Sequence, residues 1–303
     1  MTLDLTQIEA QLQSAPEEAI RRWEKEYFDR LNAVADRILS EKESSPIVLL
    51  AGPSGSAKTT TGIRLKERLE ALGNPAHVIS MDNYFLSLNE DYPRTPEGKK
   101  DFESPLCLDM DLLNSHFATL EAGEDVYVPY FDFLSGMRDP DRQTLLDASS
   151  GDIFIFEGIH ALNPAFTGAH PNAFRLYVAP DKYYTRNGKT LLDPILLRLM
   201  RRSVRDAASR GADMAYTLEL WPNVLDGEKK YILPYRDSAD EQIDSALSYE
   251  PQALCSALLP VLLALPREVC CRDSVDRLIS ALRETVPLTA PIPGTSILHE
   301  FLG

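Results

Sequence analysis

The residues best suited to chemistry stand in one short stretch that joins small turn-forming residues to a lysine and two threonines. Successive backbone N–H groups in such a turn bind anionic oxygens, the lysine adds positive charge, and a hydroxyl can hold Mg²⁺. The sequence therefore predicts a phosphate-binding loop. Its predicted contacts are Gly52, Ser54, Gly55, Ser56, Ala57, Lys58, Thr59 and Thr60.

The segments on either side of the loop fit this prediction. Residues 46–51 form an apolar, β-branched run typical of a buried strand, and residues 61–72 have helical apolar spacing that ends at Gly73. Strand, turn and helix in this order are the context that a phosphate-binding loop requires. One position departs from the pattern, because Ala57 stands where a glycine is expected. A Cβ there is expected to need a negative φ.

Two further predicted strands end in carboxylates. Residues 77–81 lead to Asp82, and residues 152–156 lead to Glu157. Ligands of open α/β sheets bind at the carboxyl ends of the strands. We therefore expect Asp82 to face the terminal phosphate and Glu157 to lie near Mg²⁺ with Thr59. The alternative for Asp82 is a turn-forming residue, since Asp favours turns generally.

A run of arginines marks a later predicted helix, residues 191–210. Four of them recur at i, i+3, i+4 and i+7 on one face, with few acidic residues to pair with in a chain of net charge −15. Arginine guanidinium groups match phosphate oxygens well. The helix is therefore predicted to be a phosphate-binding lid that carries Arg198, Arg201, Arg202, Arg205 and Arg210.

Composition limits the classes of partner. The chain has 303 residues and a net charge of −15, which argues against a broad nucleic-acid or anionic-membrane surface. Its four cysteines show no metal-ligand spacing, so reduced thiols are expected. No secretory signal pattern is visible at the start, and we expect a cytoplasmic protein.

The apolar patterns predict one α/β domain with a parallel sheet flanked by helices. Residues 1–44 are read as an amphipathic helical extension, with its helix at about 16–41 packing as core or as a subunit contact. The domain that carries the phosphate-binding loop spans 45–286. It contains an acceptor-binding insertion at 84–150 and the lid at about 185–215, and a tail follows at 287–303. Further predicted elements are helices at 108–120, 238–249 and 274–284, and strands at 126–133, 175–179 and 229–234.

The order of these motifs resembles the uridine kinase and phosphoribulokinase family of P-loop kinases, over roughly residues 46–250. The resemblance rests on five further motifs besides the loop. They are residues 81–85 (MDNYF), 101–105 (DFESP), 129–133 (PYFDF), 156–159 (FEGI) and 201–206 (RRSVRD) with 210–211 (RG).

The resemblance implies roles for individual residues. Asp82 matches the general base, Glu157 the acid that organises Mg²⁺, Phe102 the aromatic that packs on the base, and Glu103 the carboxylate that holds ribose hydroxyls. ATP and Mg²⁺ are the implied cofactors, and Arg202, Arg205 and Arg210 match lid arginines. Tyr84, Phe131 and Arg138 complete the implied acceptor site.

The departures from the family pattern concentrate on base recognition. Gly136 stands where uridine–cytidine kinases carry a histidine, Ala212 replaces an arginine, Leu220 replaces a glutamine, and Phe131 replaces a tyrosine. The groups for phosphoryl transfer are thus kept, while most polar groups that would recognise a pyrimidine are absent.

The expected function is ATP-dependent phosphoryl transfer to a hydroxyl of a uridine- or cytidine-like nucleoside. One alternative is a kinase for another small acceptor, such as pantothenate, glycerate, a sugar or a sugar phosphate. Another is an ATP-binding regulator without turnover, for which Ala57 is the only support, or a scaffold protein built on the N-terminal helix. A small-molecule acceptor and a possible homo-oligomer are the expected partners.

Overall fold

The structure, a computed structural model, describes residues 1–88, 92–95, 98, 100–133, 135–209 and 213–303, without the side chain of Ser209. The helices are α1 (Leu5–Ser14), α2 (Pro16–Glu41), α3 (Lys58–Ala71), α4 (Met110–Glu121), α5 (Pro164–Thr167), α6 (Pro194–Ser209), α7 (Met214–Tyr231), α8 (Glu250–Leu263), α9 (Arg272–Arg283) and α10 (His299–Leu302). The strands are β1 (Thr2–Asp4), β2 (Ile47–Ala51), β3 (Ala76–Ser80), β4 (Val126–Asp132), β5 (Met137–Leu146), β6 (Ile153–Glu157), β7 (Phe174–Ala179), β8 (Tyr183–Arg186), β9 (Lys189–Leu192) and β10 (Glu241–Asp244).

The centre of the molecule is a parallel sheet with the strand order β10-β7-β2-β6-β3. Strands β2 and β6 are buried along their whole length, as their unbroken apolar sequences predict. The predicted α/β class with a parallel sheet is confirmed. Because all five strands run in one direction, the loop after β2, Asp82 after β3 and Glu157 at the end of β6 come to one edge.

The sheet separates two halves of the core. Alternate residues of β2 point to opposite sides, so Val48 and Leu50 pack with α2 and α3, whereas Ile47 and Leu49 pack with α4. The first side also receives α6, α8 and α9. The second side carries the insertion, including the antiparallel hairpin of β4 and β5. The phosphate loop and the insertion therefore approach the same edge from different sides.

The N-terminal extension is part of this core. The apolar stripe of α2, which includes Trp23, Tyr27 and Leu31, is buried in the same cluster as Val48 and Leu50 of β2. Of the two predicted roles for the stripe, packing on the chain's own domain is the one observed. Strand β1 pairs with β8, which pairs with β9, in a separate three-stranded sheet that the sequence did not predict.

Two predicted elements are wrong. The segment 229–234, expected as the last strand, is the end of α7 followed by a 3₁₀ turn at Leu233–Ser238. The segment 238–249, expected as a helix, contains the last strand, β10, and the next helix begins at Glu250. Strand β10 is polar and buries only Ile243, so it lacks the apolar run that identifies an inner strand.

All four cysteines are free thiols, as expected. Among the described residues, no helix combines the length and apolar character needed to cross a membrane.

Candidate active site

The predicted phosphate loop lies between β2 and α3, where two glycines let the backbone approach its neighbours. A Cβ on Gly52 would lie 2.0 Å from the carbonyl oxygen of Val178. Gly55 has φ +75°, and a Cβ there would lie 2.9 Å from the carbonyl oxygen of Arg198. Both positions therefore exclude larger residues. At Gly52 the reason is lack of space, and at Gly55 it is both lack of space and the positive φ.

Ala57 adopts the left-handed conformation, with φ 68° and ψ 30°. The expectation of a negative φ is therefore wrong. A non-glycine residue in this region costs about 1–2 kcal/mol. The loop nevertheless keeps its shape, because the Ala57 side chain is fully buried and its carbonyl oxygen accepts hydrogen bonds from the Thr61 N–H and, at 2.6 Å, from the Thr61 hydroxyl.

Lys58, Thr59 and Glu157 meet at the centre of the site. The Thr59 hydroxyl donates to Glu157 Oε1 at 3.2 Å, and Ser80 Oγ donates to the same oxygen at 3.0 Å. Lys58 Nζ donates to the Pro53 carbonyl at 3.2 Å. Burial raises the pKa of Glu157 to about 7, with Lys58 opposing that shift. Burial lowers the pKa of Lys58, and the carboxylates of Glu157 and Asp82 oppose that shift.

The residues present fit both a phosphate group and Mg²⁺. Ser56 Oγ is buried in the loop and has no hydrogen-bond partner among the described residues, so it can donate to a phosphate oxygen. The Thr59 hydroxyl and the Glu157 carboxylate are the hard oxygen donors that Mg²⁺ prefers. Since Mg²⁺ usually takes one or two carboxylates and completes its shell with phosphate oxygens and water, this small donor set is sufficient.

Asp82 lies in a short 3₁₀ helix, Met81–Tyr84, directly after β3. Its side chain is half-buried. Burial is the main cause of the shifted pKa values of Lys58, Glu157 and Glu103. The charge of Asp82 opposes that effect at Lys58 in the loop and adds to it at Glu157 and at Glu103 in the insertion. Asp82 is therefore close enough to both the phosphate loop and the insertion for its charge to act on each.

Two of the predicted lid arginines are held in ion pairs. Arg198 Nη2 donates to Glu228 Oε2 at 2.6 Å. The guanidinium of Arg201 is fully buried and pairs with Glu250. The premise that these arginines lack acidic partners is therefore wrong.

Both arginines also donate to carbonyl oxygens of the phosphate loop. Arg198 Nη1 lies 3.4 Å from the Ser54 oxygen, and Arg201 Nη1 lies 3.1 Å from the Gly55 oxygen. The contacts observed for Arg198 and Arg201 are thus with the back of the loop, which they support.

Arg202 and Arg205 lie on the second half of α6, where Arg202 contacts the loop and both arginines pair with an aspartate of the same helix. Arg202 Nη1 donates to Ser54 Oγ at 3.0 Å, and its Nε lies 3.2 Å from Asp206 Oδ2. Arg205 Nη2 pairs with Asp206 Oδ1 at 2.9 Å. Burial lowers the pKa of Arg202, with Asp206 opposing the shift. Arg210 lies outside the described residues.

A cavity of about 1080 Å³ opens between the insertion, α6 and α7. Phe102, Glu103 and Phe131, three of the predicted acceptor residues, line it together with Arg202. Most of its other walls are aromatic or acidic side chains. They include Phe85, Tyr92, Tyr130, Phe133, Tyr216, Tyr231, Asp101, Asp132, Asp206 and Asp226.

Glu103 owes its position to a glycine in the facing helix. A Cβ on Gly227 of α7 would lie 2.3 Å from Glu103 Cβ, so only glycine lets α7 pack this closely. Burial raises the pKa of Glu103 to about 7, with Arg202 opposing the shift. Phe102 is half exposed, and its ring lies 5.5 Å from that of Tyr92. A carboxylate for hydroxyl groups and an exposed ring for stacking are thus adjacent.

Tyr84 and Arg138 do not line this cavity. The Tyr84 ring is buried, and its hydroxyl bonds to His116 Nδ1 at 2.9 Å. Arg138 pairs with Asp109 at 2.9 Å and donates to the carbonyl oxygens of Phe85 and Tyr84. Their observed contacts tie the hairpin to the 3₁₀ helix that carries Asp82. The structure therefore does not bring Tyr84 and Arg138 to the acceptor residues.

The positions that depart from the family pattern lie on the cavity wall. Gly136 has φ +68°, and a Cβ there would lie 2.1 Å from Leu88 Cδ1. Leu88 thus fills the space that a side chain at position 136 would enter. Leu220 of α7 is also part of the wall. Leu88 and Leu220 thus put apolar side chains where the family pattern has a histidine and a glutamine. Ala212 lies outside the described residues.

The family resemblance implied a place in base recognition for Leu220 of α7, but the sequence did not predict that the rest of this helix would form a wall of the site. Tyr231, at the end of α7, donates from its hydroxyl to Asp101 Oδ2 at 3.1 Å. Its ring also lies edge-on to buried His160, with 6.2 Å between the ring centres. Besides Leu220, a signal in the sequence was Gly227, a helix-breaking residue type within a helical segment.

The parallel sheet, the phosphate loop and the carboxylates of Asp82 and Glu157 at the same edge define a nucleotide-binding α/β protein of the P-loop class. A family model described as phosphoribulokinase / uridine kinase matches residues 47–248. The chain therefore belongs to the phosphoribulokinase / uridine kinase family. This membership supports an ATP-dependent kinase.

Proteins similar to this chain differ in function. A uridine kinase of Halobacterium salinarum is 26% identical over 192 residues, which cover 63% of this chain and 76% of that protein. An inorganic pyrophosphatase of Arabidopsis thaliana is 35% identical over 142 residues, covering 46% of this chain and 19% of that protein. A solved D-glycerate 3-kinase of Cryptococcus neoformans is 15% identical with a TM-score of 0.45, covering 70% of this chain and 90% of that one.

Proposed function

We propose that the protein transfers a phosphoryl group from ATP to a hydroxyl of a nucleoside-like acceptor. The observation that carries the proposal concerns Arg202, which lines the cavity and also donates to Ser54 of the phosphate loop at 3.0 Å. One guanidinium thus touches both the place for the donor and the place for the acceptor. Phosphoryl transfer requires such proximity, because its catalysis is mostly positioning and charge stabilisation.

Each residue has a defined part in this reaction. The loop N–H groups and Lys58 hold the β- and γ-phosphates. Asp82 takes the proton of the acceptor hydroxyl as its oxygen bonds to the γ-phosphorus and the bond from that phosphorus to the β–γ bridging oxygen breaks, which releases ADP. Arg202 and Arg205 stabilise the charge on the transferring group. Thr59 and Glu157 would hold Mg²⁺, which would supply positive charge against the phosphates of ATP.

The proposed acceptor is a nucleoside similar to uridine or cytidine. Glu103 and Phe102 support this proposal, because both line the cavity and the ring of Phe102 is half exposed. In the proposed complex Glu103 accepts hydrogen bonds from sugar hydroxyls and Phe102 stacks on the base. These two side chains are adjacent on one wall of the cavity. The cavity size of about 1080 Å³ leaves room for a nucleoside beside the γ-phosphate.

A second candidate is a kinase for a different small hydroxyl compound, such as pantothenate, glycerate or a sugar. The packing of Leu88 against Gly136, and the presence of Leu220, favour it, because both put apolar groups where a pyrimidine would need polar ones.

The variant Asp82→Asn tests the proposed base. The substitution keeps the size of the side chain but removes the proton acceptor, so turnover should fall about a hundredfold to ten-thousandfold. The affinity for ATP should change little. Steady-state ADP release and a direct ATP titration measure the two effects. The matched control is Asp111→Asn, at an exposed position in the first turn of α4. Unchanged turnover in Asp82→Asn would contradict the role of Asp82.

A further inference from the structure

The C-terminal segment returns to the phosphate loop and is firmly anchored there. Ile297, Leu298 and Phe301 are fully buried in the core cluster that contains Ala57 of the loop. Arg64, on α3, donates from Nε to the Thr295 carbonyl oxygen at 3.1 Å. The segment is therefore a fixed part of the molecule beside α3.

This segment places a carboxylate at the start of α3. Glu300 Oε2 accepts a hydrogen bond from the backbone N–H of Thr60 at 3.0 Å. Thr60 is the third residue of α3, and the first N–H groups of a helix have no partner within the helix. Such N–H groups, together with the loop, are the donors that a phosphate-binding loop offers to its ligand. Glu300 thus bonds to a donor that the phosphates of a nucleotide would use.

The charge of Glu300 also reaches the centre of the site. It contributes to raising the pKa of Glu157, a shift whose main cause is burial. It likewise opposes the effect of burial on the pKa of Lys58. The side chain is half-buried, and Phe301 beside it is packed under Arg201 at 5.1 Å. The backbone at Glu300 is therefore held in place, and its half-buried carboxylate lies at the start of α3.

We propose that Glu300 limits the affinity of the protein for its phosphate donor. The carboxylate competes with the donor's phosphates for the Thr60 N–H and repels them through its charge. The nucleotide binds only after this hydrogen bond is given up, and ADP leaves more readily for the same reason. This inference rests on the proposed function, in that it takes the loop to bind a nucleotide.

The test uses the full-length chain with Glu300→Gln and Glu300→Ala. Each variant is titrated by calorimetry with ATP and with inorganic tripolyphosphate, both in the presence of Mg²⁺. Loss of the negative charge should lower the Kd for both probes about threefold to tenfold. Because tripolyphosphate has no ribose or base, an equal gain for both probes locates the effect at the phosphates. The glutamine variant keeps an oxygen acceptor for the Thr60 N–H. It therefore distinguishes the effect of the lost charge from an effect of a disturbed local structure.

The matched control is Glu268→Gln, which removes the same charge at an exposed position between α8 and α9 and should leave both Kd values unchanged. Unchanged Kd values in the Glu300 variants would overturn the inference. So would a weaker Kd for ATP alone, because that result would make Glu300 a ligand of the ribose. Binding is measured without turnover, so tighter binding by a protein that transfers no phosphoryl group would support this inference and contradict the proposed function.

Discussion

At the scale of single residues, the site contains two carboxyl groups whose pKa values are well above the usual range. Glu157 is buried and Glu103 is partly buried, and burial raises the pKa of each to about 7. Each has a cation that opposes this shift, Lys58 for the first and Arg202 for the second. The pKa values of both groups thus lie where a modest change of pH alters their charge.

This predicts an acidic limit to activity. Glu157 must be ionised to serve Mg²⁺, and its ionised fraction falls as the pH drops below about 7. The value of kcat/KM should therefore decrease about tenfold per pH unit in that range. A pH profile at constant free Mg²⁺ measures this. The decrease of kcat/KM at low pH should remain in the variant Glu103→Gln, because Glu157 is intact there. A flat profile down to pH 5.5 would contradict the prediction.

Residue-scale chemistry was also the part most readable from the sequence. The loop from Gly52 to Thr60 depends on neighbours in sequence, so its strand–turn–helix context could be predicted and is confirmed. The conformation of Ala57 could not. Its positive φ is sustained by burial in the core cluster that also contains α2 and the C-terminal segment, and these contacts come from distant parts of the chain.

At the scale of elements, α6 combines two tasks on one helix. Its first half is buried through Leu196, Leu197 and Met200, and Arg201 there supports the loop from behind. Its second half carries Arg202, which lines the cavity, and Arg205, which pairs with Asp206 of the cavity wall. The sequence showed four arginines on one face but not their partners. Glu228 and Glu250, separated from Arg198 and Arg201 by 30 and 49 residues, could not be assigned to them from spacing alone.

The two tasks predict different phenotypes. Arg201→Ala leaves the carboxylate of Glu250 buried without its cation, which should cost about 3–5 kcal/mol and lower the thermal midpoint by on the order of 10 °C. Arg205→Ala should lower turnover with only a small change in the midpoint. Thermal melting and steady-state kinetics on both variants, with exposed Arg283→Ala on α9 as the control, measure this. A stable Arg201→Ala protein that lacks only activity would contradict the structural role.

At the scale of the whole molecule, both ends of the chain support the helix that follows the phosphate loop. Tyr27 of α2 bonds through its hydroxyl to Thr61 Oγ1 at 2.8 Å, and Glu300 near the C-terminus bonds to Thr60. Tyr249 links the ends further, since its hydroxyl contacts both Glu24 and Ser296. Regions that the sequence suggested as an extension and a tail thus share one core with the sheet. Pairings over more than 200 residues leave no periodic signal in the sequence.

The central claim is that this molecule moves a phosphoryl group rather than only binding ATP. The most direct measurement is incubation with ATP and Mg²⁺ across uridine, cytidine, other nucleosides, ribose, pantothenate and glycerate, with each product identified by mass. We predict an acceptor that gains one phosphoryl group, with yield that depends on Asp82. Transfer to a nucleoside would support the proposed acceptor, and transfer only to another compound would support the second candidate. ATP binding without transfer to any acceptor, or hydrolysis alone, would contradict the claim.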